Sequence, residues 1–395
     1  MSRSTSSDRD RRRRWPRVLA AFGLLVAVTA AYLAWRPVPR FVPDPTGVVR
    51  LQGGFHVHSD SSHDGRVSAA EELKGAAELG LDFLVFTEHN KHPEHPSPEG
   101  GPLAVPGTEL STKYGHLIYL GLREVPEGGS PLRDGPDLID SLAAHGALLT
   151  VLAHPTSPKR PWNGPVARVG GLEIVSTSAD ARVKGDPITG ILVPLLALPV
   201  NSRLALAQLY RRDAAALAIW DRDGNPAMLG FCGLDAHGWL PPRLDLSTWR
   251  IVLDPWPEAP RPLTANAVIE RLRTGRFFCV AGEFAGAAPR FSFTAATAAG
   301  PVPPGRSVPG ADAEALEVEA PAATSRTAPV PVTTVLLRDG AEVARTDEST
   351  LRFDGGPGGL PAGTYRVELR LPIPDVFFGS HETTVAYSNR IRVTD

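Results

Sequence analysis

Residues 55–65 read FHVHSDSSHDG, and this stretch decides the fold that we expect for the chain. Apolar side chains alternate with His56 and His58, which is the period of a β-strand that places both imidazoles on one face. Asp64 follows six residues after His58. Two imidazoles and a carboxylate near the end of one strand are side chains that bind zinc, manganese or iron, so the stretch predicts a metal site.

The same residue types recur at the ends of later apolar runs. Ten of the eleven histidines lie between residues 56 and 237, and Asp235 and His237 repeat the spacing of two. A single histidine is more often structural, but this many ligands at strand ends favour one shared site. The further candidates are His89, Glu109, His116, His154, Asp235 and His237.

Short apolar runs alternate with helical patterns over residues 51–289. Strands are predicted at FHVHS, DFLVFTEH, LAVPGTEL, HLIYLGL, ALLTVLAHP, LEIVST and MLGFCGLDAH. Helices are predicted at SAAEELKGAAELG, DLIDSLAAHG and ANAVIERLRTGRFF. This alternation predicts an α/β fold with a parallel sheet or barrel. The apolar stretch 191–200 is predicted as a helical cover of that domain, with contact to a membrane surface as the alternative.

The motifs HVHSDSSHDG, TEH, GTE with a following GH, AHP and GLDAHG resemble those of the PHP superfamily (polymerase and histidinol phosphatase) over about residues 51–283. The resemblance implies a distorted (β/α)7 barrel with two to three divalent ions, either Zn, Mn or Fe. It places one ion on His56, His58, Glu109 and Asp235. Glu109 would bridge to a second ion held by His116 and His154, and Asp64, His89 and His237 would hold a third. Glu109, Asp235 and His237 are the predicted catalytic residues.

The charge of such a cluster suggests the chemistry. Three divalent ions against the carboxylates of Asp64, Glu109 and Asp235 leave a net positive site, which attracts an anionic substrate and lowers the pKa of bound water. The sequence therefore predicts a phosphoesterase that uses a metal-bound hydroxide. Lys159 and Arg160 follow the His154 loop and are the predicted contacts to a phosphate.

Other functions stay open. The chain looks closest to the carbaryl-hydrolase type of the superfamily, which makes carboxylester or carbamate hydrolysis the alternative. An exonuclease-like phosphodiesterase and a non-catalytic metal-binding module are weaker readings. The net charge of −2 gives no sign of nucleic-acid binding. The chain contains neither the Gly-x-Ser-x-Gly motif nor a GxxxxGK[ST] phosphate loop, which disfavours serine hydrolases and NTPases. The expected partner is a small phosphoester or ester, and no protein partner is identifiable.

The N-terminal region predicts export. Residues 1–17 carry seven arginines and form the expected cytoplasmic tail, while residues 18–36 contain an uncharged apolar run of about 27 Å as a helix. We expect a single-pass signal anchor with the catalytic domain on the periplasmic side. Secretion after cleavage of a signal peptide is the alternative. Residues 37–50 are predicted to be a proline-rich linker that holds the next domain off the membrane.

The C-terminal region has a different sequence pattern from the region before it. Residues 290–395 contain short strands separated by Gly, Pro and Asp turns, which predicts a small antiparallel, immunoglobulin-like β-sandwich. The two cysteines, Cys232 and Cys279, are expected to be buried thiols. A disulfide between them is the alternative if the domain is exported.

Overall fold

The computed structural model describes residues 5–48, 50–177, 193–210, 212–223, 225–256, 259–286, 289–326 and 328–395. The helices are α1 Thr5–Trp35, α2 Ala69–Glu78, α3 Pro131–Asp134, α4 Leu138–Ala144, α5 Val193–Ala197, α6 Ser202–Ala207, α7 Ala214–Ala218, α8 Pro242–Asp245, α9 Ala265–Arg273 and α10 Gly282–Ala285. A π-helical turn covers Ile219–Asp223, and a 3-10 turn covers Gly310–Asp312.

The strands form three sheets. Those up to the predicted boundary at residue 289 are β1 Arg40–Phe41, β2 Gln52–Val57, β3 Phe83–His89, β4 Leu103–Thr112, β5 Gly115–Leu120, β6 Leu149–Leu152, β7 Gly171–Ser176, β8 Leu229–Gly233, β9 Trp249–Leu253 and β10 Phe277–Ala281. The later ones are β11 Ser292–Thr297, β12 Ser307–Pro309, β13 Ala313–Glu319, β14 Ala323–Ser325, β15 Ala328–Val330, β16 Thr333–Arg338, β17 Ala341–Thr346, β18 Thr350–Asp354, β19 Gly363–Pro374, β20 Ser380–Ser388 and β21 Ile391–Thr394.

Strands β2 to β8 follow one another in chain order within a fifteen-stranded sheet, and all seven predicted strands are present. Neighbours are parallel, except that β5 is antiparallel to both β4 and β6. The α/β fold is confirmed, but the predicted distorted (β/α)7 barrel is not closed, because the ladder does not run from β8 back to β2. Strand β9 pairs with Gln52 and Gly53 of β2, so it occupies part of the edge that β8 would need.

A short contact beyond β8 spans this gap. The backbone N–H of Leu234 donates to the carbonyl of Phe55 at 2.9 Å, and the N–H of His58 donates to the carbonyl of Ala236 at 2.9 Å. These hydrogen bonds set the segment that carries Asp235 directly beside the histidine strand.

Two strands that we did not predict, β9 and β10, extend the sheet toward the C-terminus. Strand β9 is antiparallel to β10, and β10 is antiparallel to β20. The sheet is therefore continuous across residue 289, and the division into domains at that point stays a prediction. Sequence reasoning missed these strands because their short apolar runs flank a helix and show no alternation.

The C-terminal strands form antiparallel sheets, as predicted. Strands β11, β13 and β18 form one sheet, and β16, β17, β19, β20 and β21 belong to the large one. The two layers meet where the rings of Phe353 and Tyr365 lie 6.3 Å apart. One departure is β12, which is parallel to β21.

A buried arginine joins the two halves of the chain. Arg366 of β19 is 1% exposed and donates to Asp221 at 2.8 Å through both Nε and Nη2. Its Nη1 donates to Glu368 at 2.8 Å. The buried guanidinium is paired with two carboxylates by charge-assisted hydrogen bonds, so the contact fixes the C-terminal sheet against the π-helical turn.

Local sequence accounts for where the helices begin. Ser68 and Glu71 form a capping box at the start of α2, and the Thr264 hydroxyl accepts from Ala267 N at the start of α9. Leu73 and Ala76 of α2 and Val268, Ile269 and Leu272 of α9 are buried at helical spacing. The amphipathic patterns of these two helices therefore match the observed packing.

Helix α1 contains a segment, Trp15–Trp35, that is long and apolar enough to cross a membrane, with a mean hydropathy of 2.1. Most of this segment is exposed and does not pack on the rest of the chain. The linker after it behaves differently from our expectation. Val38 and Phe41 are buried and β1 pairs with β14, so this part lies on the folded body instead of standing free.

The remaining sequence predictions have separate outcomes. Part of the apolar stretch 191–200 lies outside the described residues, and the rest includes the short helix α5. Cys232 and Cys279 are not free thiols, because they form a disulfide with their Cα atoms 5.8 Å apart. This pairing is the alternative that the sequence left open.

Candidate metal centre

All nine predicted ligands come together at one edge of the sheet. His56, His89 and Glu109 lie on parallel strands, while His116 begins the antiparallel strand β5 beside the end of β4. The others follow strand ends or lie in the loop after β2. Because the carboxyl ends of parallel strands meet at one edge, residues far apart in sequence become neighbours. The ligands in those loops are His58, Asp64, His154, Asp235 and His237.

Glu109 is the centre of the cluster. It is fully buried, and its Oε1 lies 2.7 Å from His116 Nδ1 and 3.0 Å from His154 Nε2. Its Oε2 lies 3.2 Å from each of three imidazole nitrogens, those of His56, His58 and His89. One carboxylate therefore faces five imidazoles, which is the position that a bridging ligand needs.

The first predicted group is present as a unit. His56, His58, Glu109 and Asp235 each bring a ligand atom within 4.8 Å of the others, and all four are buried. Asp235 Oδ1 lies 3.5 Å from His56 Nε2 and 3.8 Å from His58 Nε2. Two imidazoles and two carboxylates around one point match the ligand set that we predicted for one ion.

The group predicted for the third ion has one additional member. Asp64 Oδ2 lies 3.3 Å from both His89 Nε2 and His237 Nε2. His58 joins them within the same 4.8 Å limit, and its ring stacks on His237 with centroids 4.3 Å apart. His58 therefore lies between two groups.

The remaining group differs from our expectation. Glu109 and His116 are together with His89 within 4.8 Å, whereas His154 does not meet that limit with them. His154 still reaches Glu109 Oε1. The placement of a second ion on Glu109, His116 and His154 stays a prediction.

Backbone conformation marks the site as well. His56, His154 and Asp235 have φ values of 69°, 30° and 50°, and Asn90, next to His89, has 51°. Residues with a Cβ rarely adopt positive φ, and such strain concentrates at functional sites. At His56 the strand register shifts, so this residue enters the site from an irregularity in β2 and not from the regular alternation that we predicted.

Several buried ligand atoms make no hydrogen bond of regular geometry among the described residues, although two of them lie 3.2 Å from Glu109 Oε2. These atoms are His58 Nε2, His89 Nδ1, His154 Nδ1 and Asp64 Oδ1. Leaving buried polar atoms unsatisfied is costly, and each of these residue types is a common metal ligand. The donor set therefore fits divalent metal ions.

The charges of the cluster depend on one another. Burial opposes the ionisation of Glu109, but the charge of His56 and the hydrogen bonds from His116 hold the pKa of Glu109 well below its usual range. Burial alone would lower the pKa of His154, yet its hydrogen bond to Glu109 raises that pKa to about 9. Burial lowers the pKa of His89 to about 4. The buried carboxylate therefore lies beside imidazoles whose pKa values are shifted in opposite directions.

Glu173 of β7 is a functional residue that sequence reasoning missed. It is 1% exposed, and its Oε1 accepts from His56 Nδ1 at 2.7 Å. Its Oε2 accepts from the backbone N–H of His154 at 2.7 Å. Because Glu173 Oε1 accepts from His56, Nδ1 keeps its proton, and Nε2 is the nitrogen that faces Glu109 and could bind a metal ion. A glutamate within the apolar run LEIVST was the signal that could have revealed it.

The two predicted phosphate contacts have different positions. Arg160 Nη1 lies 3.0 Å from His116 Nε2, so Arg160 reaches the cluster. Lys159 is exposed, and no contact to the nine ligands is seen within the described ranges. A second arginine that we did not predict is Arg66, whose guanidinium lies 3.3 Å from the centre of the Trp239 ring. The backbone N–H of Arg66 donates to the carbonyl of His237.

Comparison with known proteins gives limited information. No family model and no curated protein matches the chain. A two-domain protein from Bacteroides vulgatus, described as containing a predicted PHP-like metal-dependent phosphoesterase, is similar over 88% of this chain and 98% of its own, with a TM-score of 0.38 and 15% identity. The protein PsfC from Pseudomonas syringae is similar over 56% of this chain and 88% of its own, with a TM-score of 0.33 and 17% identity. Both scores are too low to carry a functional argument.

Proposed function

We propose that this protein is a PHP-type hydrolase of phosphoesters that depends on two to three divalent metal ions and acts outside the cytoplasm on a membrane anchor. The observation that carries this proposal is the convergence of nine ligand side chains around the buried carboxylate of Glu109, with four buried ligand atoms that make no hydrogen bond in the described part of the chain. A purely structural cluster would be expected to satisfy these atoms by hydrogen bonds.

The residues of the cluster and the bound ions would have different roles in the reaction. Bound ions would supply Lewis acidity and a water molecule of lowered pKa. Glu109 holds its two oxygens toward different imidazoles, so it can keep two positive centres close together. Asp235 and His237 lie together on the segment after β8, where they would serve as further ligands of the bound ions.

Arg160 is the residue that we assign to the substrate phosphate. Its present contact requires a lone pair on His116 Nε2, because a guanidinium only donates. An imidazole that uses Nδ1 as a metal ligand keeps its proton on Nε2 and cannot accept from Arg160. Metal binding at His116 would therefore release this exposed arginine, leaving its N–H groups free for an anionic oxygen.

A second function, hydrolysis of aryl esters or carbamates, is favoured by one specific observation. Trp239 is 64% exposed and follows His237 by two residues, so an aromatic surface lies next to the ligands. Such a ring can stack on the aryl group of a substrate. It would serve an aryl phosphate equally well, so the reacting group has to be tested directly.

Two features support the proposed location. The exposed segment Trp15–Trp35 has the length and hydropathy of a membrane span. The disulfide between Cys232 and Cys279 is of a kind that persists in oxidising compartments and is rare in the cytosol. We place the folded body on the outer side of the cytoplasmic membrane, where both features are expected.

The deciding experiment compares matched aryl phosphate and aryl acetate substrates on the full chain in detergent. We expect turnover of the phosphate with manganese or zinc, and loss of activity on chelation. Arg160→Ala should lower kcat/KM for the phosphate about 10- to 100-fold, since hydrogen bonds to charged groups contribute about 1.5–3 kcal/mol. The neighbouring change Lys159→Ala is the matched control and should have little effect. A clear preference for the acetate would establish the ester function instead.

The bridging role of Glu109 is tested by metal content. Glu109→Gln should lose metal and most activity together, because the lost charge serves more than one group. Asp64→Asn should affect only the group that includes His89 and His237. Full metal occupancy and turnover in Glu109→Gln would contradict the bridging assignment.

A further inference from the structure

The end of helix α1 is held firmly by the folded body. Asn201 Nδ2 donates to the carbonyls of Leu33 and Arg36, each at 3.0 Å. Arg326 Nη2 donates to the carbonyl of Trp35 at 2.5 Å, and its guanidinium lies 4.4 Å from the Trp35 ring. The exit point of the helix therefore has a defined position relative to the rest of the protein.

A cavity of about 400 Å³ opens beside this exit point. Its walls include the helix end, the first residues of the linker, and parts of α6 and of the loop after β14. Four arginines line it, and the lining residues that the structure describes include no acidic one. They are Arg36, Arg40, Arg203 and Arg326.

Most of this positive charge has no partner of opposite charge. Arg203 lies 3.7 Å from Glu283, but no carboxylate lies within 4.0 Å of the other three among the residues that the structure describes. Within the described ranges, the Arg36 guanidinium donates to the backbone carbonyls of Asp375 and Gly379, and its Nε is buried without a hydrogen bond. Burial and then the nearby charge of Arg40 lower the pKa of Arg203 to about 10, and the charge of Glu283 opposes this shift.

Capping of the helix explains only part of this arrangement. Cations are favoured at the carboxyl end of a helix, where carbonyls lack partners. Asn201 already satisfies two of these carbonyls with neutral N–H groups, and Arg40 contributes to the wall without binding any of them. The number of charges in the cavity exceeds what the helix end requires.

The position of the cavity suggests what neutralises it. A span of 21 residues covers about 30 Å, the thickness of the hydrocarbon core, so its end lies at the level of the lipid headgroups. Exposed apolar side chains surround the same end, as expected for residues that contact the interface. They are Trp35, Leu196, Val200 and Phe378, of which Phe378 is 84% exposed and lies 6.4 Å from the ring of Tyr32.

We propose that this four-arginine cavity binds the phosphate headgroup of an anionic phospholipid in the leaflet where α1 ends. The inference rests on α1 remaining as the membrane anchor. Guanidinium groups match phosphate oxygens by paired hydrogen bonds, and each one near an anionic membrane surface contributes about a fivefold preference. A bound lipid would orient the catalytic body on the membrane through the rigid helix end.

The test uses the full chain reconstituted in nanodiscs of phosphatidylcholine alone or of an equimolar mixture of phosphatidylcholine and phosphatidylglycerol. After extraction into detergent, native mass spectrometry counts the lipids that each chain retains. We expect retained phosphatidylglycerol in the wild type and about 30-fold weaker retention in the double variant Arg40→Gln/Arg326→Gln. The control Arg168→Gln/Arg345→Gln removes the same charge from exposed sites elsewhere and should retain the lipid.

Three outcomes would overturn the proposal. The first is that the wild type retains both lipids equally. The second is that the control variant loses as much phosphatidylglycerol as the double variant Arg40→Gln/Arg326→Gln. The third is that millimolar inorganic phosphate displaces the lipid, which would indicate a site for free anions. Thermal unfolding checks that the double variant is folded. Carbonate extraction of membranes tests the anchor separately, because a chain that is released refutes the anchor, whereas a retained chain without lipid preference refutes only the lipid site.

Discussion

Glu173 offers the sharpest test of how the site is built. Its two oxygens have different partners, since Oε1 accepts from His56 Nδ1 and Oε2 accepts from His154 N, both at 2.7 Å. The substitution Glu173→Gln keeps the size of the side chain but replaces one acceptor by an N–H donor. The backbone N–H of His154 cannot reverse its role, so the glutamine oxygen has to remain there.

The consequence falls on His56. The glutamine N–H₂ then faces His56 Nδ1, which becomes an acceptor and transfers its proton to Nε2. That nitrogen faces Glu109 and Asp235, and once protonated it cannot be a metal ligand. If the glutamine turns the other way, a buried N–H of His154 loses its acceptor, which costs about 1–3 kcal/mol. Both orientations weaken the first metal group.

Removing a partner that orients a ligating histidine typically lowers metal affinity 10- to 100-fold, and we expect a loss of this size for Glu173→Gln. The assay is titration of the full chain with zinc or manganese against a competing chelator, with thermal unfolding of the metal-free chain alongside. Glu72→Gln is the matched control, because Glu72 is a buried carboxylate that has no hydrogen bond to any ligand in the described part of the chain.

A second variant tests the same idea without changing a charge. A Cβ on Gly233 would collide with the Glu173 carboxylate, so Gly233→Ala should displace Glu173 and weaken metal binding in the same direction. The reasoning is refuted if Glu173→Gln binds metal as tightly as the wild type. It is also refuted if Glu72→Gln shows an equal loss, because the effect would then follow from changing any buried carboxyl group.

Two further predictions concern stability. Burial, followed by the charges of Asp245, Glu71 and Glu88, raises the pKa of Glu72 to about 8. The same carboxyl in the unfolded chain ionises near 4.5. The folded state should therefore lose up to about 5 kcal/mol of stability as the pH rises from about 4.5 to about 8. Glu72→Gln removes this loss, so its thermal midpoint should exceed that of the wild type at pH 9 and the difference should vanish near pH 4; a difference that does not change with pH would contradict this. The double variant Cys232→Ala/Cys279→Ala removes a disulfide that links residues 47 positions apart, and it should lower the free energy of unfolding by about 4 kcal/mol in chemical denaturation. Reductant should have no further effect on this variant. A wild type whose unfolding is insensitive to reductant would refute the stabilising role of the disulfide.

Local patterns were sufficient for much of this protein. The seven strands that carry the site follow from short apolar runs, and the nine ligands follow from polar residues at the ends of those runs, because strand ends meet at one edge of a sheet. The apolar helix near the N-terminus follows from composition and length alone. These features depend on residues that are neighbours in sequence, so no knowledge of long-range packing was needed.

Tertiary structure decided the features that depend on which distant segments meet. Strand β9 occupies part of the edge of β2 and leaves the ladder open, while β10 joins the sheet to β20. From the sequence, Glu173 is predicted only as part of an apolar strand. Its hydrogen bond to His56, which is 117 residues away, exists only in the folded structure. Likewise, Arg36 and Arg326 belong to separate turns of the sequence, and only packing at the end of α1 places their charges around one cavity. A sequence pattern records the period of a single element, whereas register, edge occupancy and charge clusters arise from contacts between elements.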